Sequence, residues 1–303
     1  RVGKEGDGRT DGPAGILSSS ELPEDETEPV GYGDRKNRPV GFGRKEAHPV
    51  VQIPIPPLSE QLFQAVQWAR AMNDRILRGE KVALGEIRRT LERGDEVEVP
   101  YLLEDMASDA AGLLDHLGLD AAHVVGVSMG GMIGQTLALE APERVLSLTS
   151  IMASTGSWEV GAPSAAGTRA LFHAPPPDDA GAIEATLETR ELLATPGTFD
   201  ATAERALITA AIERSFDPAG IGRQLAAIWA SGDRTDRLRA LDVPTLVIHG
   251  TGDDLVAVSG GEATAQAVPD ARMVAIVAMG HDLPRRHWGE ILGAMLEHFE
   301  RSE

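Results

Sequence analysis

His123-Val-Val-Gly126-Val-Ser128-Met-Gly130-Gly-Met132 reads as a short apolar strand that reaches a serine and turns at once into a helix. Within it lies the pattern G-x-S-x-G, formed by Gly126, Val127, Ser128, Met129 and Gly130. Pinching a strand into a helix through one residue strains the backbone of that residue, and neighbours bearing a Cβ would collide across the turn. Ser128 is therefore expected to project from the carboxyl end of a sheet. In a chain with 33 glycines such a match also arises by chance, so its surroundings decide its meaning.

Those surroundings alternate. Upstream, Leu103, Met106, Ala110, Leu113, Leu114 and Leu117 recur at helical spacing and Gly118 follows as a stop. Downstream, Met132, Ile133, Thr136, Leu137 and Ala138 continue a helix that must end near Pro142, and residues 145 to 152 read as the next strand. Helix, strand, serine turn, helix and strand in that order predict an α/β fold. Its sheet is expected to be mostly parallel, with helices on its faces and ligands beyond the carboxyl ends of the strands.

Composition narrows the partners. The formal net charge is -19, which argues against nucleic acid and anionic membranes, since both need clustered Lys and Arg. No run of about 18 apolar residues is present, so no membrane span is expected. The absence of cysteine removes disulfides, thiolate chemistry and cysteine metal sites. No dinucleotide fingerprint, P-loop or metal-ligand cluster is found, so neither cofactor nor metal is expected. Without a charged-then-apolar leader after Arg1, a cytoplasmic location is the expectation. The expected partners are a small molecule and water, with the chain acting as monomer or homodimer.

The two ends of the chain differ in composition. All four lysines (Lys4, Lys36, Lys45, Lys81) and both asparagines (Asn37, Asn73) precede residue 82. The same region carries an imperfect repeat, Pro29-Val-Gly-Tyr-Gly and Pro39-Val-Gly-Phe-Gly, too short for a solenoid. Residues 1 to 48 are expected to be a low-complexity tail, 49 to 154 and 241 to 303 the two parts of a core, and 155 to 240 a helical insertion.

A serine hydroxyl is a poor nucleophile at neutral pH and needs a base within hydrogen-bond reach, itself oriented by a carboxylate. Val243-Pro-Thr-Leu-Val-Ile-His-Gly250 reads as a strand, and the loop after it holds Asp253 and Asp254. Ala271 to Ala278 reads as another strand, followed by His281. Of the eight histidines, only His281 combines a loop at a strand's carboxyl end with a position after the acid. His249 lies inside a strand, and His287 and His298 lie on the last helix.

From about residue 101 the chain resembles the α/β-hydrolase-fold serine hydrolases. The resemblance rests on Gly-Val-Ser-Met-Gly-Gly at 126 to 131, Pro-Thr-Leu-Val-Ile-His-Gly-Thr-Gly-Asp at 244 to 253, and Gly-His-Asp-Leu-Pro at 280 to 284. Within that superfamily it is most similar to bacterial esterases of the aclacinomycin methylesterase type, with lactonases and cofactor-free perhydrolases as neighbours. The resemblance implies Ser128 as nucleophile, His281 as base and Asp253 as acid, with Asp254 held as the substitute. It also implies a helical cap inserted before the last two strands. The Met129 N–H would supply one oxyanion donor, each such donor being worth roughly 3 kcal/mol. A second donor is expected in the loop after an early strand. Val50 to Ile55 is the best such strand and Pro56 to Ser59 its loop, but the usual glycine-rich signal is missing.

Within residues 155 to 240, three segments carry apolar residues at helical spacing: Glu184 to Leu193, Thr202 to Arg214 and Ile221 to Ala230. Trp158, Leu171, Phe172 and Trp229 are the candidate substrate-binding residues, with Phe199 and Ile228 beside them. Trp288, Ile291, Leu292, Met295 and Phe299 are expected as a core stripe on the last helix. The leading reading is a serine esterase acting on a small or medium apolar ester. A lactonase or perhydrolase with the same triad, and a noncatalytic binding protein on the same fold, are the alternatives.

Overall fold

Leu102 and Gly118 bracket the first long helix by simple chemistry. The Asp105 carboxylate accepts the Leu102 N–H at 2.9 Å, and Gly118 closes the other end at φ 67°, a conformation that costs glycine little. The computed structural model describes residues 84–173 and 178–302. The low-complexity tail, the early strand at 50 to 55 and the loop at Pro56 to Ser59 all lie outside the described residues.

The elements run α1 (Leu84–Glu92), α2 (Leu103–Leu117), β1 (Ala122–Val127), α3 (Met129–Glu140) and β2 (Val145–Ile151). Then come α4 (Ala165–Phe172), α5 (Asp179–Leu193), α6 (Ala201–Arg214), α7 (Pro218–Ala230) and the short α8 (Thr235–Leu238). The chain closes with β3 (Thr245–Gly250), α9 (Ser259–Ala267), β4 (Arg272–Ile276) and α10 (Trp288–Glu300). Among the described residues the strands form one parallel sheet in the order β1-β2-β3-β4. This is an α/β-hydrolase fold, and helices α4 to α8 are inserted before its last two strands.

Strand residues alternate between faces, so each face packs its own helices. On one, Leu148 meets Leu137 and Ala138 of α3 and Ala267 of α9. On the other, Ile151, Leu246, Ile248 and Ile276 meet Ile291 of α10. Leu148, Leu246 and Ile248 are fully buried, and each such side chain contributes about 1.5–3 kcal/mol. Register then aligns the carboxyl ends: Val127 lies opposite Ile151, Ile151 opposite Ile248, and Gly250 opposite Ile276. The turns after β1, β3 and β4 consequently emerge on one edge.

The inserted helices start on polar caps. Ser164, Asp178, Asp200 and Asp217 each accept backbone N–H groups from the first turn of α4, α5, α6 and α7. Several expectations need correction: β2 stops at Ile151, before Met152 at φ 44°, β3 begins at Thr245 rather than Val243, and His287 precedes α10 in a short 3-10 helix. The last strand stops at Ile276 rather than Ala278, because Ala278 takes φ 58° and cannot continue a pleated strand. The stripe on α10 is also narrower than expected. Ile291 is buried and Met295 packs against the core, but Trp288 and Leu292 are exposed. Trp288 lies at the helix start, where its indole N–H donates to Leu283 O at 2.8 Å and Arg285 sits over its ring.

A very close backbone contact lies at the serine turn. A Cβ on Gly126 would lie 2.1 Å from Gly130 O and 2.5 Å from Gly131 N, both backbone atoms with nowhere to retreat. Gly126→Ala is expected to cost at least about 3 kcal/mol, the upper range for overpacking a core. Thermal melting should show a Tm lower by roughly 6 °C or more. A variant melting within 2 °C or so of wild type would contradict this account of the turn.

Candidate active site

Ser128 stands between β1 and α3 at φ 54° and ψ -120°, a strained conformation for a residue bearing a side chain. The strain is held from both sides. Its N–H donates to Ile151 O at 2.8 Å, and its carbonyl accepts Gly131 N–H at 2.9 Å and Met132 N–H at 3.2 Å. The hydroxyl therefore leaves the backbone at the carboxyl edge of the sheet.

The structure brings Ser128, His281 and Asp253 together. The Ser128 hydroxyl donates to His281 Nε2 at 2.9 Å, and His281 Nδ1–H donates to Asp253 Oδ2 at 2.7 Å. With the proton on Nδ1, Nε2 is free to accept one from the serine. The other carboxylate oxygen of Asp253 accepts Leu255 N–H and Val256 N–H, each at 2.9 Å. Burial pushes the Asp253 pKa up, but the nearby His249 ring and the bonds from His281 and the backbone outweigh it and hold the group at about 2. A permanently ionised acid is what keeps the imidazole in one tautomer.

Asp254 is placed elsewhere. Its carbonyl accepts Ser164 N–H at 2.9 Å and lies where a Cβ on Gly167 would collide, so it anchors the start of α4. The choice between the two neighbouring acids, open in the residues alone, falls geometrically to Asp253.

Two features were not visible in the residue pattern. His249, read as a strand residue, is fully buried with Nε2 3.5 Å from Asp253 Oδ2. Its Nε2–H donates to Val256 O at 2.8 Å, and its Nδ1 has no hydrogen-bond partner among the described residues. Gly261 makes room for the ring, since a Cβ there would lie 2.4 Å from Nδ1. The spacing His249-x-x-x-Asp253 at a strand end was the signal available. The second feature is a buried polar cluster behind α3. Arg234 donates through Nε and Nη2 to Gln135 Oε1 at 3.3 Å and through Nη2 to Ser154 O at 3.0 Å. Gln135 in turn donates to Ser150 Oγ at 3.2 Å. Burial pushes the Arg234 guanidinium down to about 10, which leaves it charged at neutral pH.

The Met129 N–H stands at the first position of α3, where a helix leaves its donors unpaired and its positive end favours an anion. The loop expected to carry the second donor, Pro56 to Ser59, lies outside the described residues. Among the described residues no group of three or more His, Cys, Asp or Glu side chains converges on a metal position. No described helix is long and apolar enough to cross a membrane.

Of the candidate pocket residues, Trp158 and Phe172 flank Trp229 at ring separations of 6.0 and 6.2 Å. Trp158 is 53% and Phe172 46% exposed, so the cluster faces outward more than a packed core would. Its neighbour on α7, Ile228, packs with Met129 against a common cluster, which sets this face of the insertion beside the serine turn. Leu171 is half-buried and outside the ring contacts, as is Phe199. A cavity of about 570 Å³ beside Phe172 is lined by Arg169, His173, Glu188, Thr189 and Leu192 and by none of the triad residues.

A parallel sheet that projects serine, acid and histidine from the loops after β1, β3 and β4 on one edge defines a class of α/β hydrolase. The sequence model of the alpha/beta hydrolase fold matches residues 88–173. The rhodomycin D methylesterase of Streptomyces peucetius is 32% identical over 209 residues, covering 61% of this chain and 69% of the relative. The 3-oxoadipate enol-lactonase 2 of Acinetobacter baylyi is 30% identical over 163 residues, covering 54% and 58%. Among solved structures, the esterase RhEst1 from Rhodococcus sp. ECU1013 shares the fold with a TM-score of 0.55 at 22% identity, over 65% of this chain and 72% of that one. The chain belongs to the α/β-hydrolase fold family, and it is a hydrolase.

A carboxylate held at about 2, below its ordinary 3.8, stabilises the fold fully above the ordinary value, and that contribution fades as pH falls towards 2. Asp253→Asn should therefore flatten the loss of Tm between about pH 4 and pH 2. Melting curves of both proteins across that window check it. Parallel slopes would contradict the assignment.

Proposed function

We propose that the protein is a serine-dependent carboxylic-ester hydrolase that works through an acyl-enzyme. The observation that carries this reading is the continuous hydrogen-bond chain from Ser128 through His281 to an ionised Asp253. As Ser128 Oγ attacks the ester carbonyl, His281 Nε2 takes its proton, and Asp253 stabilises the imidazolium without being protonated. The tetrahedral oxyanion is met by the Met129 N–H. Collapse expels the alcohol, which takes the proton back from Nε2. A water then repeats the same two steps on the acyl-enzyme, releasing the acid and free Ser128.

The similarity to a methylesterase supports a small alcohol as the leaving group. The Trp158, Trp229 and Phe172 cluster supports an apolar acyl part. The similarity to an enol-lactonase supports a second reading, an intramolecular ester opened by the same triad. The alcohol then remains tethered to the acyl group, and the chemistry is otherwise unchanged.

Turnover of p-nitrophenyl and methyl esters, beside a lactone series, tests both. Ser128→Ala and His281→Ala are each expected to lower kcat by on the order of 10⁶, and Asp253→Asn by about 10⁴. A fluorophosphonate probe should label wild type at Ser128 and leave Ser128→Ala unmodified. Wild type that neither turns over these substrates nor takes the label would overturn the proposal.

A further inference from the structure

The loop that carries His281 is held by the inserted helices as well as by the sheet. Three consecutive loop residues, Gly280, His281 and Asp282, bond to the chain that leaves α5, some 85 residues earlier in sequence. The His281 N–H donates to Leu193 O at 2.9 Å. The Gly280 N–H donates to Thr195 Oγ1 at 2.9 Å, and the Thr195 hydroxyl passes its own proton to Asp282 Oδ1. The same carboxylate oxygen accepts the Thr195 N–H at 3.0 Å. The two segments press together backbone to backbone. A Cβ on Gly280 would lie 2.5 Å from Leu193 O and 2.8 Å from Thr195 N.

Thr195 is 1% exposed, and its hydroxyl acts as donor and acceptor at once. A buried hydroxyl used both ways defines the position of its partners better than one bond can, because moving either partner leaves a buried polar group unpaired. Asp282 gains nothing from facing solvent here. It spends its carboxylate on a threonine of the insertion, directly after the residue that must place Nε2 within reach of Ser128 Oγ.

From this we infer that Thr195 and Asp282 are positioning residues for His281, so that the segment Leu193 to Thr195 sets the geometry of the general base. The inference rests on the serine-hydrolase reading and adds to it that the insertion builds part of the catalytic machinery rather than only covering it. Their bonds run to each other and to the Gly280 N–H rather than to a side chain of the triad. Both act through the imidazole, so their loss should appear in the chemical step rather than in substrate binding. A misplacement of about 1 Å is sufficient to lower a rate by roughly 10²-fold.

Steady-state kinetics on p-nitrophenyl esters, with fluorophosphonate labelling rates and melting curves, test this for Asp282→Ala, Asp282→Asn, Thr195→Val, Thr195→Ser and the double variant Thr195→Val/Asp282→Ala. Asp282→Ala is expected to lower kcat and the labelling rate by about 10²-fold with KM within about twofold. Asp282→Asn keeps the acceptor oxygen and Thr195→Ser keeps the hydroxyl, so both should recover to within about fivefold of wild type; the double variant should fall no further than the lower single one. If Asp282→Ala does not fold, the contrast of Thr195→Val against Thr195→Ser decides on the same readouts. Wild-type kcat and labelling in the folded variants, or a loss confined to KM or to Tm, overturns the positioning role while leaving the hydrolase reading intact. Wild type that is inert to both substrate and probe overturns the hydrolase reading and this inference with it.

Discussion

Everything at the site depends on how closely β1 and α3 approach one another at Gly126. The backbone of Gly130 and Gly131 occupies the space a side chain at 126 would need, so strand and helix can be joined through one residue only. That residue is Ser128, and the cost of its positive φ is borne by hydrogen bonds to Ile151 and to the first turn of α3. A hydroxyl placed in this way is held before any substrate arrives, at the start of a helix whose Met129 N–H would meet the negative charge of the proposed reaction. The proposed nucleophile and oxyanion donor thus come from one steric constraint.

The acid is kept ionised by a different means. Asp253 is buried, which by itself would favour the neutral carboxyl, yet it is met by two backbone N–H groups, by His281 and by the nearby ring of His249. Hydrogen bonds to the charged form exceed the desolvation cost, and the group is held well below the ordinary carboxylate range. His249 contributes without belonging to the proton path, since its Nε2–H is committed to Val256 O.

The insertion is joined to the core at its hinges as well as at the histidine loop. Its entry at Ser154 and Thr155 and its exit at Gly232 to Thr235 are stitched together by Arg234 N–H to Thr155 O and by the Thr155 and Thr235 hydroxyls. The Arg234 side chain then reaches Gln135 on α3. A fully buried guanidinium is tolerated because carbonyl oxygens of Gln135, Ser154 and Gly232 receive its donors. One of these bonds reaches the helix that follows Ser128, so that helix and the two ends of the insertion form one connected polar unit.

Local chemistry made the skeleton legible in the residues themselves. Helical spacing from Leu103 to Leu117, the strand before Ser128, the alternation that follows and the order serine, acid, histidine all depend on short-range sterics and periodicity, and a linear pattern carries those in full. Some local readings overreached. Trp288 and Leu292 have the spacing of a core stripe, yet a helix covers only what lies beneath it, and the spacing alone does not reveal where its neighbours end. What tertiary structure alone decided is what joins distant segments: Asp253 rather than Asp254 against His281, Arg234 beneath α3, and Thr195 against Asp282. Polar contacts across 80 residues or more leave no periodicity behind, because a threonine or an arginine satisfied by a remote partner reads in sequence like one satisfied by water.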